Sequence, residues 1–421
     1  MAIFLTGLTG YLGSYLTAHF LRAGQEVTAL VRASDADAAR GRIWKSLQLH
    51  LSAEEVAAAL SEDRLRFVRG DLRQARFGLG ATPYQRLVDE HDTVVHAAAS
   101  LNRRSSRVCF DVNLRGGLTV IQLAQAIQAR GGLRRYGHVS TVAIAGQRER
   151  QVVGEDEALD WARSDYDPYA RTKKFGEHLV DELLGPEASV VIGRPSIVLG
   201  DSRFPETTQF EMVRAFVGLG RVPVLPFDPE LRLDIVPANF VAEAFAKLVL
   251  AESPQHRRYH LSAGESAPTF REVTDALAEA GQARKPLYLP RLGGPAARAL
   301  KAASNLRQVP ALSKGAALMD VFWPYLEWDV VFDNSRVVSE TGVAPARFPD
   351  YCAGLYRFAR EGGFRYPYLP LPAVVGDLDT GDWVSGGGTG RAGCGRGGAS
   401  PEQSAAPASR ARALPLAKGG A

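Results

Sequence analysis

The chain has 421 residues, 46% of them hydrophobic and 23% charged, which is ordinary for a soluble globular protein and leaves ample apolar surface to bury. Its 50 basic and 46 acidic residues leave a formal charge of +4 with no basic stripe, so no nucleic-acid partner is expected. Basic pairs such as Arg103–Arg104 and Arg257–Arg258 read as solvated faces.

Three cysteines, Cys109, Cys352 and Cys394, share no CxxC or metal-ligand spacing, and the eight histidines form no HxxxH pair near an acid. A reducing compartment with no structural metal follows. The chain opens directly on an apolar strand without a basic leader. Its longest apolar region, Leu233 to Ala251, carries Asp234, Glu243 and Lys247. Neither a signal peptide nor a transmembrane segment is expected, and the reading is a cytoplasmic protein.

In chain order, residues 2–6 read as a buried strand broken at Gly7, and Tyr11 to Ala23 as a helix stopping at Gly24. Val27 to Val31 is a second strand, and Ser52-Ala-Glu-Glu55 is a capping box that opens a short helix. Leu65 to Val68, Thr93 to Ala97, Tyr136 to Ser140 and Ser189 to Gly193 are further strands. Asn113 to Arg130 is a long amphipathic helix, and Tyr169 to Leu184 another. Continuously apolar strands alternating with helices predict an α/β fold, a Rossmann-type doubly wound parallel sheet with its ligand crevice at the carboxyl ends of the strands. This assigns residues 1–203 to a dinucleotide-binding domain, with 233–262 returning to it through Leu233 to Val236, Asn239 to Leu250 and Tyr259 to Leu261. Residues 204–232 and 263–370 form a smaller, irregular, mostly helical substrate-binding portion. Stretches 293–306 and 310–322 read as ordinary core of that portion, with a lid over a lipid chain as the alternative. From Val375 the composition shifts, with twelve glycines in the last 46 residues, so 375–421 reads as a disordered tail.

Three constellations carry chemistry. Thr6-Gly7-Leu-Thr9-Gly10-Tyr11-Leu12-Gly13 is a glycine-rich turn between strand and helix. Gly7 permits the turn, Gly10 lets backbone approach a pyrophosphate, and Gly13 lets the helix pack closely on the strand. At the end of the second strand, where an acid would hold the ribose of NAD, the chain has Arg32, a donor suited to a 2′-phosphate, so the cofactor reads as NADP(H). Asp71 with Leu72 is placed beside the adenine, its carboxylate accepting from the amino group; a loop cap is the other reading of Asp71. Finally, Tyr169 and Lys173 share one helix face at i and i+4, 28 residues beyond the strand-end hydroxyls Ser140 and Thr141. An ammonium beside a phenol stabilises the phenolate, so Tyr169 can exchange a proton with a carbonyl oxygen.

In this order the motifs resemble the extended short-chain dehydrogenase/reductase superfamily over about residues 1–365. The matching stretches are Phe4 to Gly13, Val94 to Ala99, His138 to Gly146, Tyr169 to Lys173 and Arg194 to Asp201. Residues 139–146, 194–202 and the insertion from Ala33 to Arg64, with Arg42-Ile-Trp44 inside it, resemble most closely the male sterility-type group of fatty acyl-CoA reductases and thioester reductase domains. The resemblance implies Thr141 as the catalytic hydroxyl, with Ser140 able to substitute, Tyr169 as acid/base and Lys173 as its partner. It further implies Asn113 as a support of Lys173 through a water, Ala97 and Ala98 along the cofactor, and Pro195 with Ser196 at the nicotinamide. His96 reads as a structural donor.

The expected activity is NADPH-dependent reduction of an acyl thioester, on coenzyme A or an acyl-carrier protein, to an aldehyde that a second hydride would take to the alcohol. The alternatives are a ketone or hydroxyl oxidoreductase, a nucleotide-sugar epimerase or dehydratase with the same residues, and a non-enzymatic NADP sensor. Acyl chain, donor and oligomeric state stay open.

Overall fold

A computed structural model describes residues 1–157, 159–304, 319, 323–327 and 329–378. Seven strands form the central sheet: β1 (Ala2–Thr6), β2 (Glu26–Val31), β3 (Leu65–Arg69), β4 (Thr93–His96), β5 (Arg135–Val139), β6 (Val190–Pro195) and β7 (Arg258–Leu261). All neighbours are parallel, in the order β7-β6-β5-β4-β1-β2-β3, with Ile3 paired to Val27 on one side and Thr93 on the other. The order reverses between β1 and β4, so the crevice opens there, outside the carboxyl ends.

Parallel strands need crossovers, and here these are α1 (Tyr11–Arg22), α2 (Ala36–Leu47), α3 (Ala53–Ser61), α4 (Ala81–Glu90), α5 (Gly116–Ala129) and α6 (Pro168–Leu184). Alternate side chains feed two cores. Ile3, Leu5 and Val95 enter the core shared with α1 and α2, while Phe4 and Val94 enter the one shared with α4, α5 and the end of α6. The capping box opening α3 is complete, Ser52 accepting from Glu55 N and Ser52 N donating to the Glu55 carboxylate.

A second core lies beyond residue 198. It joins α7 (Phe210–Leu219), α9 (Phe270–Glu279) and α10 (Phe348–Glu361) with Trp323 and Leu326, while α8 (Ala238–Leu250) packs back on the central sheet. In the stretch Leu233 to Val236, Ile235 and Val236 pair with Ile197 and Val198 in a separate two-stranded ribbon; Leu233 and Ile235 bury into the second core and Val236 into the core of the central sheet. The helix expected to begin at Asn113 begins earlier, at Ser106, and passes through a π-helical segment, Phe110–Arg115, before α5. Strand β6 runs two residues past Gly193, to Pro195, bringing that residue to the crevice.

The composition change at Val375 does not mark the end of packed structure. Trp44 Nε1 donates to the carbonyls of Leu369 (3.2 Å) and Pro370 (2.9 Å), and Leu369 N donates to Gln48 Oε1 (2.8 Å). The turn Ala373–Gly376 then lies against α2 and α3 with Val375 fully buried. The rest of the expected tail, from 379, lies outside the described residues, as do 305–318 and 320–322 of the two apolar stretches; Gly293–Ser304 is helical. Among the described residues no helix is long and apolar enough to cross a membrane, and no group of His, Cys, Asp or Glu could hold a metal.

Helix α6 is pinned to the sheet by charge. Arg194 on β6 donates through Nε and Nη2 to Glu177, at 2.7–3.2 Å, with the two side chains 4% and 0% exposed. Arg257 and Arg258 are not a solvated face: both pair with Asp181 of the same helix, and Arg258 lies 3.8 Å from Glu177. Removing one partner of a buried pair strands the other charge. Glu177→Ala is expected to cost roughly 3–5 kcal/mol, read as a lower urea midpoint; an unchanged midpoint would show that the pair does not hold the helix.

Candidate active site

The turn after β1 brings backbone, not side chains, to the crevice. Gly7 has φ +95°, and a Cβ there would lie 2.6 Å from Ala98 N. A Cβ on Gly13 would lie 1.9 Å from Gly7 O, so α1 can approach the turn this closely only with glycine. Gly10 N donates to Gly7 O (2.8 Å), and Gly10 caps α1 without a side chain, leaving first-turn N–H groups facing the cavity. Thr9, Tyr11 and Leu12 line the same wall.

That wall belongs to a cavity of about 470 Å³ running along the carboxyl ends of the strands. At its β2 end lie Arg32 and, from α2, Arg42, whose Nη2 donates to Thr9 Oγ1 (3.3 Å). Neither makes an ion pair among the described residues. Asp71 and Leu72 also line this end. The Asp71 carboxylate is engaged by Arg73 N, Nε and Nη2 at 2.6–3.1 Å, which holds its pKa below the usual carboxylate range. Asp71 is thus held in its own loop while lining the cavity.

At the β5 end the cavity is lined by Ser140, Thr141, Tyr169 and Lys173, with Ala97, Ala98, Pro195 and Ser196 between the two ends. Asp167 caps α6 by accepting from Ala170 N (2.8 Å), and Pro168 starts the helix, which fixes Tyr169 and Lys173 in the first two turns. The Thr141 hydroxyl donates to Pro195 O (3.4 Å) and accepts from Ala143 N (3.3 Å), on the cavity wall it shares with the Tyr169 phenol. Lys173 Nζ donates to Val139 O (2.6 Å), and burial pushes its pKa down to about 8 against the opposing charge of Glu177. Ser140 Oγ is buried with no hydrogen-bond partner among the described residues.

Asn113 sits in the π-helical segment, its Oδ1 accepting from Ser100 N (2.7 Å) and its Nδ2 donating to Ser100 O (3.2 Å) and Thr172 Oγ1 (3.1 Å). Burial raises the Tyr169 phenol, and the cation that meets its ring is Arg103, 4.8 Å from the centroid. Arg103, expected in a solvated pair, is ion-paired to Asp167 (2.8 Å) and lines the cavity. His96 is structural: buried, 2.7 Å from Thr6 Oγ1 through Nδ1, and held neutral by burial, its pKa about 3.

Sequence reasoning assigned no role to Arg42, Arg103, Tyr166, Asp234 or Tyr325, all of which line the cavity. Asp234 accepts from Ala263 N (2.8 Å), and burial pushes its carboxyl up to about 6. Of these, Arg42 alone had a local signal, as part of the Arg42-Ile-Trp44 stretch.

Comparison with known proteins identifies the family. The family model described as male sterility protein, an NAD-binding family, matches residues 5–245. The nonribosomal peptide synthetase asaC of Aspergillus flavus is 27% identical over 274 residues, covering 62% of this chain and 26% of its own length. Carboxylic acid reductase of Mycobacterium marinum is 27% identical over 289 residues, covering 62% and 24%. The chain therefore spans about a quarter of the length of these two curated relatives. The terminal R domain of the myxalamid PKS-NRPS pathway shares the fold, with a TM-score of 0.72 at 24% identity, over 86% of this chain and 91% of that one.

The glycines separate folding from binding. Gly13→Ala is expected to lose roughly 3 kcal/mol of stability, since its Cβ meets backbone. Gly10→Ala, whose Cβ would meet only Gly7 O at 3.2 Å, should lose less stability than Gly13→Ala, yet lose the rise in melting temperature expected from a nicotinamide dinucleotide. Equal stability of the Gly13 variant, or an undiminished NADPH shift in the Gly10 variant, would contradict the cradle.

Proposed function

This chain belongs to the male sterility protein family, and from that premise we propose that it is an NADPH-dependent reductase of acyl thioesters, acting through Thr141, Tyr169 and Lys173. The observation that carries the reading is one cavity with a different chemistry at each end. One end is bounded by the glycine turn and two arginines that make no ion pair among the described residues, the other by a hydroxyl–phenol–ammonium set. The cavity fits a dinucleotide: Gly10 lines it without a side chain, the N-terminus of α1 faces it, and Ser140 Oγ is left for a ligand to satisfy. Arg32 and Arg42 would hold the 2′-phosphate, Ala97 and Ala98 the middle of the cofactor, and Pro195 and Ser196 its nicotinamide end. Residues 204–232 and 263–370 form the substrate-binding portion, a reading supported by Gln209, Met212 and Arg232, which reach the cavity from it or its border.

When bound, the reduced dinucleotide would supply hydride to the thioester carbonyl carbon. Thr141 and Tyr169 then donate hydrogen bonds to the carbonyl oxygen as negative charge develops on it. Tyr169 passes its proton to that oxygen, giving a hemithioacetal. Breaking the C–S bond moves the hydroxyl proton to sulfur and leaves an aldehyde and a free thiol. A second reduction by the same groups would give the alcohol. The naming of relatives for carboxylic acid reduction and nonribosomal peptide synthesis supports an acyl group carried as a thioester on coenzyme A or on a carrier protein.

The test is NADPH oxidation measured together with thiol release from a panel of acyl thioesters. Thiol release should match NADPH one to one if reduction stops at the aldehyde, and Tyr169→Phe should lower it about 100-fold or more. NADPH binding without thiol release would overturn the thioester reading. Arg32→Gln and Arg42→Gln should each narrow the preference for NADPH over NADH roughly tenfold, whereas an unchanged ratio would remove them from the phosphate site. With the Lys173 ammonium lost above about 8, kcat/KM should fall as pH rises through that value. In Lys173→Arg, which stays charged, this fall should be absent from the remaining activity; its persistence would assign the titration to another group.

A further inference from the structure

Thioester reduction through Thr141, Tyr169 and Lys173 leaves unused the cation that lies against the acid/base. Arg103 comes from the loop after β4, and its guanidinium sits between two phenol rings, 4.8 Å from the centroid of Tyr169 and 4.9 Å from that of Tyr325. Its side chain is 15% exposed. Three contacts fix it there: Nη1 donates to Asp167 Oδ2 (2.8 Å) and to the Tyr325 oxygen (2.6 Å), and the Tyr325 hydroxyl donates to the same Asp167 oxygen (2.9 Å). The other oxygen of Asp167 caps α6, two residues before Tyr169 and nearly two turns before Lys173. Tyr325 is also stacked on Tyr166 at 4.4 Å, and its neighbours Trp323 and Leu326 belong to the second core. One guanidinium thus joins the loop after β4, the cap of the catalytic helix and the substrate side of the cavity.

We propose that Arg103 is a positioning residue for proton transfer, holding the Tyr169 ring in its donating orientation and favouring the charge left on its oxygen when the proton departs. The proposal rests on the reading of Tyr169 as the proton donor. A cation over an aromatic face is attracted to the ring, and attracted more strongly as the ring gains negative charge. The groups facing the phenol are Arg103, Thr141, Asp167 and Cys109. Burial raises its pKa, Asp167 and Cys109 push the same way, and Arg103 and the Thr141 hydroxyl oppose them. Lys173 spends a hydrogen bond on Val139 O, so the two cations act at separate places: Lys173 at the floor of the cavity and Arg103 on the ring. The Asp167–Tyr325 clasp also makes the guanidinium's place depend on the substrate side being seated.

The test is a double-mutant cycle on kcat for thioester reduction, with NADPH affinity measured separately by its fluorescence. Arg103→Met, which removes the charge at similar bulk, should lower kcat about 10- to 100-fold while leaving the NADPH dissociation constant within about twofold. Arg103→Lys should restore most of the loss. In the Tyr169→Phe background the same Arg103→Met change should cost less than about threefold, because there is no proton left for it to assist. An equal loss in both backgrounds, or no rescue by lysine, would overturn the proposal and mark Arg103 as structural. A fully active Tyr169→Phe enzyme would instead overturn the reading of Tyr169 itself. If Arg103→Met does not fold, Tyr325→Phe carries the cycle. It keeps the ring under the guanidinium but removes the clasp, and it should lower kcat several-fold only when Tyr169 is present; an equal loss without Tyr169 would overturn the proposal.

Discussion

The buried ion pair between Glu177 and Arg194 is the contact on which the site depends. It joins α6, which carries Tyr169 and Lys173, to β6, whose last residue is Pro195. Two buried charges are costly to desolvate, and they persist only when their hydrogen-bonding capacity is met. Here the carboxylate receives a forked guanidinium, with Arg258 close behind it. The helix is fixed at its start as well, through Asp167 to Arg103 and Tyr325, and further along through Asp181 to Arg257 and Arg258. A catalytic pair must be held to a fraction of an ångström to act, and tethers at several points along one helix supply that rigidity.

Electrostatics around the pair follow the same economy. Lys173 is buried beside two strand histidines, His96 and His138, and burial together with the lysine charge holds both imidazoles neutral. Positive charge is thereby concentrated at three places along the cavity. The ammonium lies on its floor, the Arg103 guanidinium on the Tyr169 ring, and Arg32 with Arg42 at the far end. Arg42 is placed by α2, and α2 is strapped from outside by the segment that hydrogen-bonds Trp44 and buries Val375. The chain's last described residues thus support the Arg42 end of the same cavity.

Much of this was legible in the sequence because it is local. The apolar runs of β1 to β4, the glycine turn, the Ser52–Glu55 box and the Tyr169–Lys173 spacing are set by neighbouring residues, and the structure places them within a residue or two of expectation. What was not legible depends on distant partners. Arg103 looks like half of a surface pair until Asp167 and Tyr325, 64 and 222 residues away, surround it. Arg257 and Arg258 likewise find Asp181 on another element. Leu233 to Val236 has the composition of a sheet strand, and its place in a separate ribbon between two cores is set by partners elsewhere in the chain. Asp71 was expected to face a ligand or to cap its loop; it lines the cavity, and its neighbour Arg73 engages both of its oxygens.

The central claim is that this cavity moves a hydride to an acyl carbon while Tyr169 delivers the proton. The most direct measurement is a single turnover of an acyl thioester with NADPH deuterated at both C4 positions, followed by mass analysis of the aldehyde. The account predicts an aldehyde one mass unit heavier, one free thiol for each deuterium transferred, and neither product above a trace with Tyr169→Phe. Unlabelled aldehyde, or label appearing without release of thiol, would contradict it.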